Sequence, residues 1–176
     1  EEFAGVCGTR FAVSTNSGSA AINVALLSCG IGAGDEVLLT PHVAYAVGNA
    51  VLAVGARPVF VDIEGATLTM DPAKIEEKIT PGTKAVIPVH TYGHPADMDP
   101  IMAIARHYDL FVIEDATHAL GSTYKGQSLP VGGSRNLAIY GLFMKQLWLP
   151  SSGGMLVTGD GEIADRARQY RDSHGG

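Results

Sequence analysis

The sequence predicts an α/β fold of three layers, α/β/α, with a mostly parallel sheet between two layers of helix. Three observations predict it. Apolar runs of strand length recur and alternate with segments of helical pattern. The runs are apolar on both faces, as strands are when helices cover both sides of a sheet. The helix boundaries carry signals of their own. Asp71-Pro72 sets an N-cap before a proline at the first helical position, and Gly30 and Gly55 fall where helices stop.

The elements follow in order. "FAVST" (11–15) reads as a strand, and "GSAAINVALLSCG" after it as a helix beginning near Gly18. "EVLLT" (36–40) leads into "AYAVGNAVLAVG", "PVFVDI" (58–63) into "DPAKIEEKI", and "AVIPVH" (85–90) into "DMDPIMAIARHY". "FVIEDA" (111–116) is a fifth strand, "LAIYGLF" and "GGMLVTG" are two more, and "DGEIADRARQYRDS" is a closing helix. Sheets of this kind bind ligands beyond the carboxyl ends of their strands. The functional residues are therefore expected just after each run.

The composition narrows the function. A chain of 176 residues, 46% hydrophobic and 17% charged, suits one domain with a real core. A net charge of −6 without a basic stripe argues against a nucleic-acid or anionic-membrane partner. No apolar run is long enough to span a bilayer, and no signal peptide is visible. Cys7 and Cys29 read as free buried thiols in a reducing, cytoplasmic setting. The abrupt "EEFAG" and "RDSHGG" ends suggest a fragment of a longer protein.

Four constellations carry chemistry. In "STNSGSAA" (14–21) a strand gives way to a small-residue turn and a helix start. Free backbone N–H groups, the helix dipole and the hydroxyls of Ser17 and Ser19 could cradle a phosphate there, or Ser17 could be a plain N-cap. The pattern is not that of a dinucleotide fold. Asp115 ends a strand that reads as buried, where a carboxylate is costly to desolvate unless a cation meets it. Glu114 must point to the opposite face, and His118 alone completes no metal set, so a protonated ring nitrogen fits better than a metal. Of five lysines, Lys74, Lys78, Lys84 and Lys125 lie in turns or on a polar helix face. Lys145 lies among large apolar side chains in "YGLFMKQLWLP", either snorkelling from a strand end or desolvated as a nucleophilic amine. His42 and Tyr45 fall near the same rim, where either could lie flat against a ring. A phosphate cradle, a carboxylate, a flat aromatic and a desolvated lysine are together the needs of pyridoxal 5'-phosphate. His90 and His94 are not expected to bind metal.

"NSGSAAINVALLSCGIGAGDEVLLTP", the stretch from "GARPVFVDIEG" to "EDATHALGSTYKG", and "GGMLVT" resemble the DegT/DnrJ/StrS family of sugar-nucleotide aminotransferases. The resemblance is strong from Thr15 to Gly126 and weaker from Gln127 to Ser152. It implies a fold-type I pyridoxal-phosphate architecture. Residues 1–176 would then be the cofactor-binding large domain, without an N-terminal lead-in and a small C-terminal domain. It implies that Asp115 pairs with the pyridinium nitrogen and that His118 lies near the phenolic oxygen. Ser17, Gly18, Ser19 and Ala20 would form the phosphate loop, Tyr45 the stacking aromatic and Lys145 the covalent anchor. The implied reaction moves an amino group from glutamate or glutamine to a nucleotide-linked keto-sugar, in a homodimer serving polysaccharide or antibiotic sugar biosynthesis. Three positions depart from the family pattern. A gapless match places Gln146 where the lysine belongs, Gly141 stands for a phosphate-holding serine, and "PHVAYAVGNA" is one residue short. The alternatives are a relative with altered chemistry, such as a sugar dehydratase, and an inactive homologue acting as a binding or regulatory subunit.

Overall fold

The computed structural model describes residues 1–133, 135–142 and 152–173. A seven-stranded sheet forms the middle layer. Its strands are β1 (Phe11–Thr15), β2 (Glu36–Leu39), β3 (Arg57–Phe60), β4 (Thr83–Ile87), β5 (Phe111–Asp115), β8 (Asn136–Gly141) and β9 (Gly154–Thr158). A separate hairpin joins β6 (Thr123–Tyr124) to β7 (Gln127–Ser128). The helices are α1 (Glu2–Val6), α2 (Gly18–Ser28), α3 (Tyr45–Ala53), α4 (Met98–His107) and α5 (Gly161–Ser173).

The order across the sheet is β1-β9-β8-β5-β4-β2-β3. Strands β8, β5, β4, β2 and β3 run parallel, and β9 is antiparallel to both β8 and β1. The sheet is thus mostly parallel, as expected. Its core follows from the two-residue period of a strand. Val37, Leu39, Ala85, Ile87, Ile113, Leu137 and Ile139 pack towards α2, α3 and α5. The alternate residues Leu38, Val86 and Val112 pack towards α4 with Met98 and Ile101. Each fully buried Leu, Ile or Val contributes about 1.5–3 kcal/mol.

The helix starts and stops fall where the sequence puts them. α2 begins at Gly18, and Gly30 and Gly55 take positive φ angles of 74° and 85° after their helices. "DPAKIEEKI" differs from expectation: it forms two single 3₁₀ turns, Pro72–Lys74 and Glu76–Lys78. Asp71 still caps the first, accepting from the Ala73 N–H at 2.9 Å. Ile75 is the one residue of the segment that is fully buried. So short a stretch with a single buried anchor cannot offset the cost of helix nucleation.

The chain reverses direction across the sheet at β3. The β2–β3 connection carries α3 on one face, and the β3–β4 connection returns past β2 with Met70 and Ile75 on the other face. This opens a topological switch point between β2 and β4, where open α/β sheets bind their ligands.

Candidate active site

A cleft of about 280 Å³ lies beyond the carboxyl ends of β2, β4 and β5. It is lined by residues 41–44 after β2, by Val89, Thr91 and Tyr92 after β4, and by Asp115, Thr117 and His118 at the end of β5. The switch point of the topology and the polar strand ends of the sequence therefore coincide.

Asp115 is the last residue of β5 and 3% exposed. Its backbone is fixed from both sides: its N–H donates to the Pro88 carbonyl at 2.9 Å, and its carbonyl accepts from the His90 N–H at 3.1 Å. Its carboxylate Oδ1 accepts from the Thr117 N–H at 3.1 Å and from the Thr117 hydroxyl at 2.7 Å. Oδ2 has no hydrogen bond among the described residues.

Glu114 goes to the other face, as the pleat requires, and is wholly buried. Its Oε1 accepts from the Val131 N–H at 2.8 Å and the Asn136 amide at 2.5 Å. Its Oε2 lies 3.0 Å from Nε2 of His90, itself wholly buried. Nδ1 of His90 accepts from the Ala96 N–H at 3.0 Å, which puts the imidazole proton on Nε2, donated to Glu114. Both nitrogens of His90 are thus spent within the fold. Among the described residues no group of three His, Cys, Asp or Glu could hold a metal ion.

The turn after β1 lies at the same edge of the sheet. Two antiparallel steps make β1 parallel to β8, and the register sets Thr15, Gly154 and Gly141 in one row. That row is two residues beyond Ile139, the partner of Asp115. Ser17 caps α2, its Oγ accepting from the Ala20 N–H at 3.1 Å. Gly18 is buried and Ser19 exposed. The Thr15 hydroxyl donates to the Ser17 carbonyl at 2.8 Å and ties the turn to the strand. Gly154 lies beneath this turn so closely that a Cβ there would run into the Ser17 carbonyl and the Thr15 hydroxyl.

The other expected site residues distribute unevenly. His118 is exposed and lines the cleft beside Asp115. Tyr45 is the first residue of α3, 84% exposed, and does not line the cleft. The rings of His42 and Tyr92 do line it, set edge to face with centroids 6.0 Å apart. Tyr92 holds a left-handed φ of 52°, which bulky residues rarely adopt, and is 76% exposed. Lys145, Gln146 and the apolar "LFMKQLWLP" stretch from Phe143 onward lie outside the described residues. Lys74, Lys78, Lys84 and Lys125 are all exposed, and Lys125 pairs with Asp99. Thr117 and Gly154 were not singled out in the sequence. The only sign of the first was a hydroxyl two residues after Asp115, and of the second a glycine pair at a strand start.

Cys7 and Cys29 are free and buried. Burial pushes the Cys29 thiol up to about 12, against the smaller opposing pull of Arg166 and Arg135. No helix among the described residues is long and apolar enough to cross a membrane.

The model of the DegT/DnrJ/EryC1/StrS aminotransferase family matches residues 1–175. The chain is 42% identical over 169 residues to a GDP-perosamine synthase of Caulobacter vibrioides, covering 96% of this chain and 45% of that protein. It is 44% identical over 172 residues to a dTDP-3-amino-3,4,6-trideoxy-alpha-D-glucose transaminase of Streptomyces venezuelae, covering 97% and 45%. Among solved structures, S. venezuelae DesV in complex with a ketimine intermediate superposes with a TM-score of 0.93 at 43% identity, over 97% of this chain and 46% of that one. NtdA of Bacillus subtilis, with bound cofactor PMP, superposes with a TM-score of 0.88 at 36% identity, over 96% and 39%. The chain thus spans less than half the length of the relatives it matches. The match runs through every strand of the sheet and through the turns that line the cleft, and on it the chain belongs to the DegT/DnrJ/EryC1/StrS aminotransferase family.

Proposed function

We propose that this chain is the cofactor-binding large domain of a pyridoxal-phosphate-dependent aminotransferase. The enzyme moves an amino group from glutamate or glutamine to a nucleotide-linked keto-sugar. The observation that carries the reading is Asp115: a buried carboxylate at the end of β5 that lines the cleft, with one oxygen fully engaged and the other without a hydrogen bond among the described residues. A carboxylate held so needs a cationic partner to offset its desolvation, and a protonated pyridine nitrogen is one. The donor set suits a ring and a phosphate better than a metal, because the nearby His90 is already spent on Glu114 and Ala96.

When bound, the cofactor supplies an electron sink that makes the proton on the donor's α-carbon removable. The chain's own residues supply the rest. The turn at Ser17–Ala20 offers helix N-terminal N–H groups and the Ser17 and Ser19 hydroxyls to the phosphate. Asp115 would accept the ring N–H and keep it protonated. His118, which lines the same cleft, would donate to the ring's phenolic oxygen. Lys145 would hold the cofactor through its amine and act as the base for the proton on the donor's α-carbon.

The family relatives act, by their names, on GDP- and dTDP-linked sugars, and these two nucleotides set the substrate panel. The test uses the full-length protein with pyridoxal phosphate, ¹⁵N-labelled glutamate or glutamine, and GDP- and dTDP-linked keto-sugars. Label appearing in the sugar product supports the reading. Water elimination without label transfer favours the dehydratase, which Gln146 at the gapless lysine position would explain, and neither product favours the inactive homologue.

A further inference from the structure

The two oxygens of Asp115 are used unequally. Oδ1 takes both donors that Thr117 owns, its N–H at 3.1 Å and its hydroxyl at 2.7 Å. Thr117 is half-buried and lines the same cleft. Any residue but proline at 117 could give the backbone hydrogen bond, but a hydroxyl side chain gives the second. The terminal torsion of an aspartate is broad and nearly two-fold. A single N–H on one oxygen leaves the carboxylate plane loosely set. Two donors on the same oxygen, one from a χ1-restricted β-branched residue, fix it.

We infer that Thr117 is a positioning residue for the cofactor: its hydroxyl holds Oδ1 so that Oδ2 alone, with both lone pairs free, meets the ring nitrogen. The inference rests on the function proposed above. It adds a residue argued to act through Asp115. A hydrogen bond to a charged group is strong enough to matter, so its loss is expected to weaken cofactor binding roughly 10- to 100-fold.

The experiment uses the full-length protein as wild type, Thr117→Val and Thr117→Ser. Valine keeps the shape and removes the hydroxyl, and serine keeps the hydroxyl and removes the methyl. Two quantities are read: the dissociation constant for pyridoxal phosphate, and the ring-nitrogen resonance of ¹⁵N-labelled pyridoxal phosphate by solid-state NMR. The expected result is weaker binding by Thr117→Val with the resonance moved towards the unprotonated ring, and both values restored in Thr117→Ser. A Thr117→Val protein with wild-type affinity and an unmoved resonance overturns the inference and leaves the proposed function standing. Weaker binding with an unmoved resonance, or serine behaving as valine does, also overturns it, since that is a packing effect. A wild-type protein that binds no pyridoxal phosphate overturns both.

Discussion

At Asp115 and Glu114, adjacent residues of one strand do opposite work. Asp115 faces the cleft, and Glu114 is sealed among Val131, Asn136 and His90. His90→Ala would leave the buried Glu114 carboxylate and the Ala96 N–H each short of a partner. Leaving a buried donor or acceptor unsatisfied costs about 1–3 kcal/mol each, and the shift of the urea midpoint in the full-length protein measures it. Asp115→Ala would remove the proposed partner of the cofactor's ring nitrogen. Losing one member of such a charge pair costs about 3–5 kcal/mol, so pyridoxal-phosphate binding should weaken by about 100-fold or more, with fold stability much less affected. Cys29 gives a pH prediction. Its thiol is held protonated by burial up to about 12, against an ordinary value of 9.0. Above pH 9 the unfolded chain ionises there and the folded chain does not, so the folded state binds more protons and stability falls as pH rises from 9 towards 12. Denaturant titrations across that range should show the decline, and Cys29→Ala should flatten it. The opposed directions of Asp115 and Glu114 were legible in the sequence, because the pleat decides them. The partners of Glu114 were not, since Val131 reaches it from a loop and Asn136 from the start of β8, a pairing no local pattern encodes.

The small elements that shape the site carry weak sequence signals. Strand runs and helix caps placed the seven sheet strands and helices α2–α5, because each buries an apolar face or starts at a cap. The directions of β1 and β9 were not legible: a strand buried on both faces reads the same whether parallel or antiparallel. The hairpin β6–β7 has two-residue strands, and α1 has five residues, so neither shows a period. The antiparallel placement of β9 matters to function, because it brings Gly154 under the Ser17 turn. Gly154→Ala should force that turn away from the sheet, with an overpacking cost of about 1–3 kcal/mol and weaker cofactor binding by isothermal titration. Ser17→Ala loses the cap of α2, worth about 1 kcal/mol, together with a hydroxyl proposed for the phosphate.

For the molecule as a whole, the sheet places the cleft and the Ser17 turn on one edge, while the chain covers under half the length of its relatives. We propose that the full-length protein is a homodimer, the state the family resemblance implies. Sedimentation should give a dimer, and a fully active monomer would overturn this part of the account. We propose that Asp115 faces a cofactor anchored by Lys145. Borohydride reduction of the full-length protein loaded with pyridoxal phosphate, followed by peptide mapping, tests this. Visible absorbance before reduction and one cofactor fixed irreversibly to Lys145 are expected. Cofactor bound but attached to no lysine, or attached to Lys74, Lys78, Lys84 or Lys125, would contradict it.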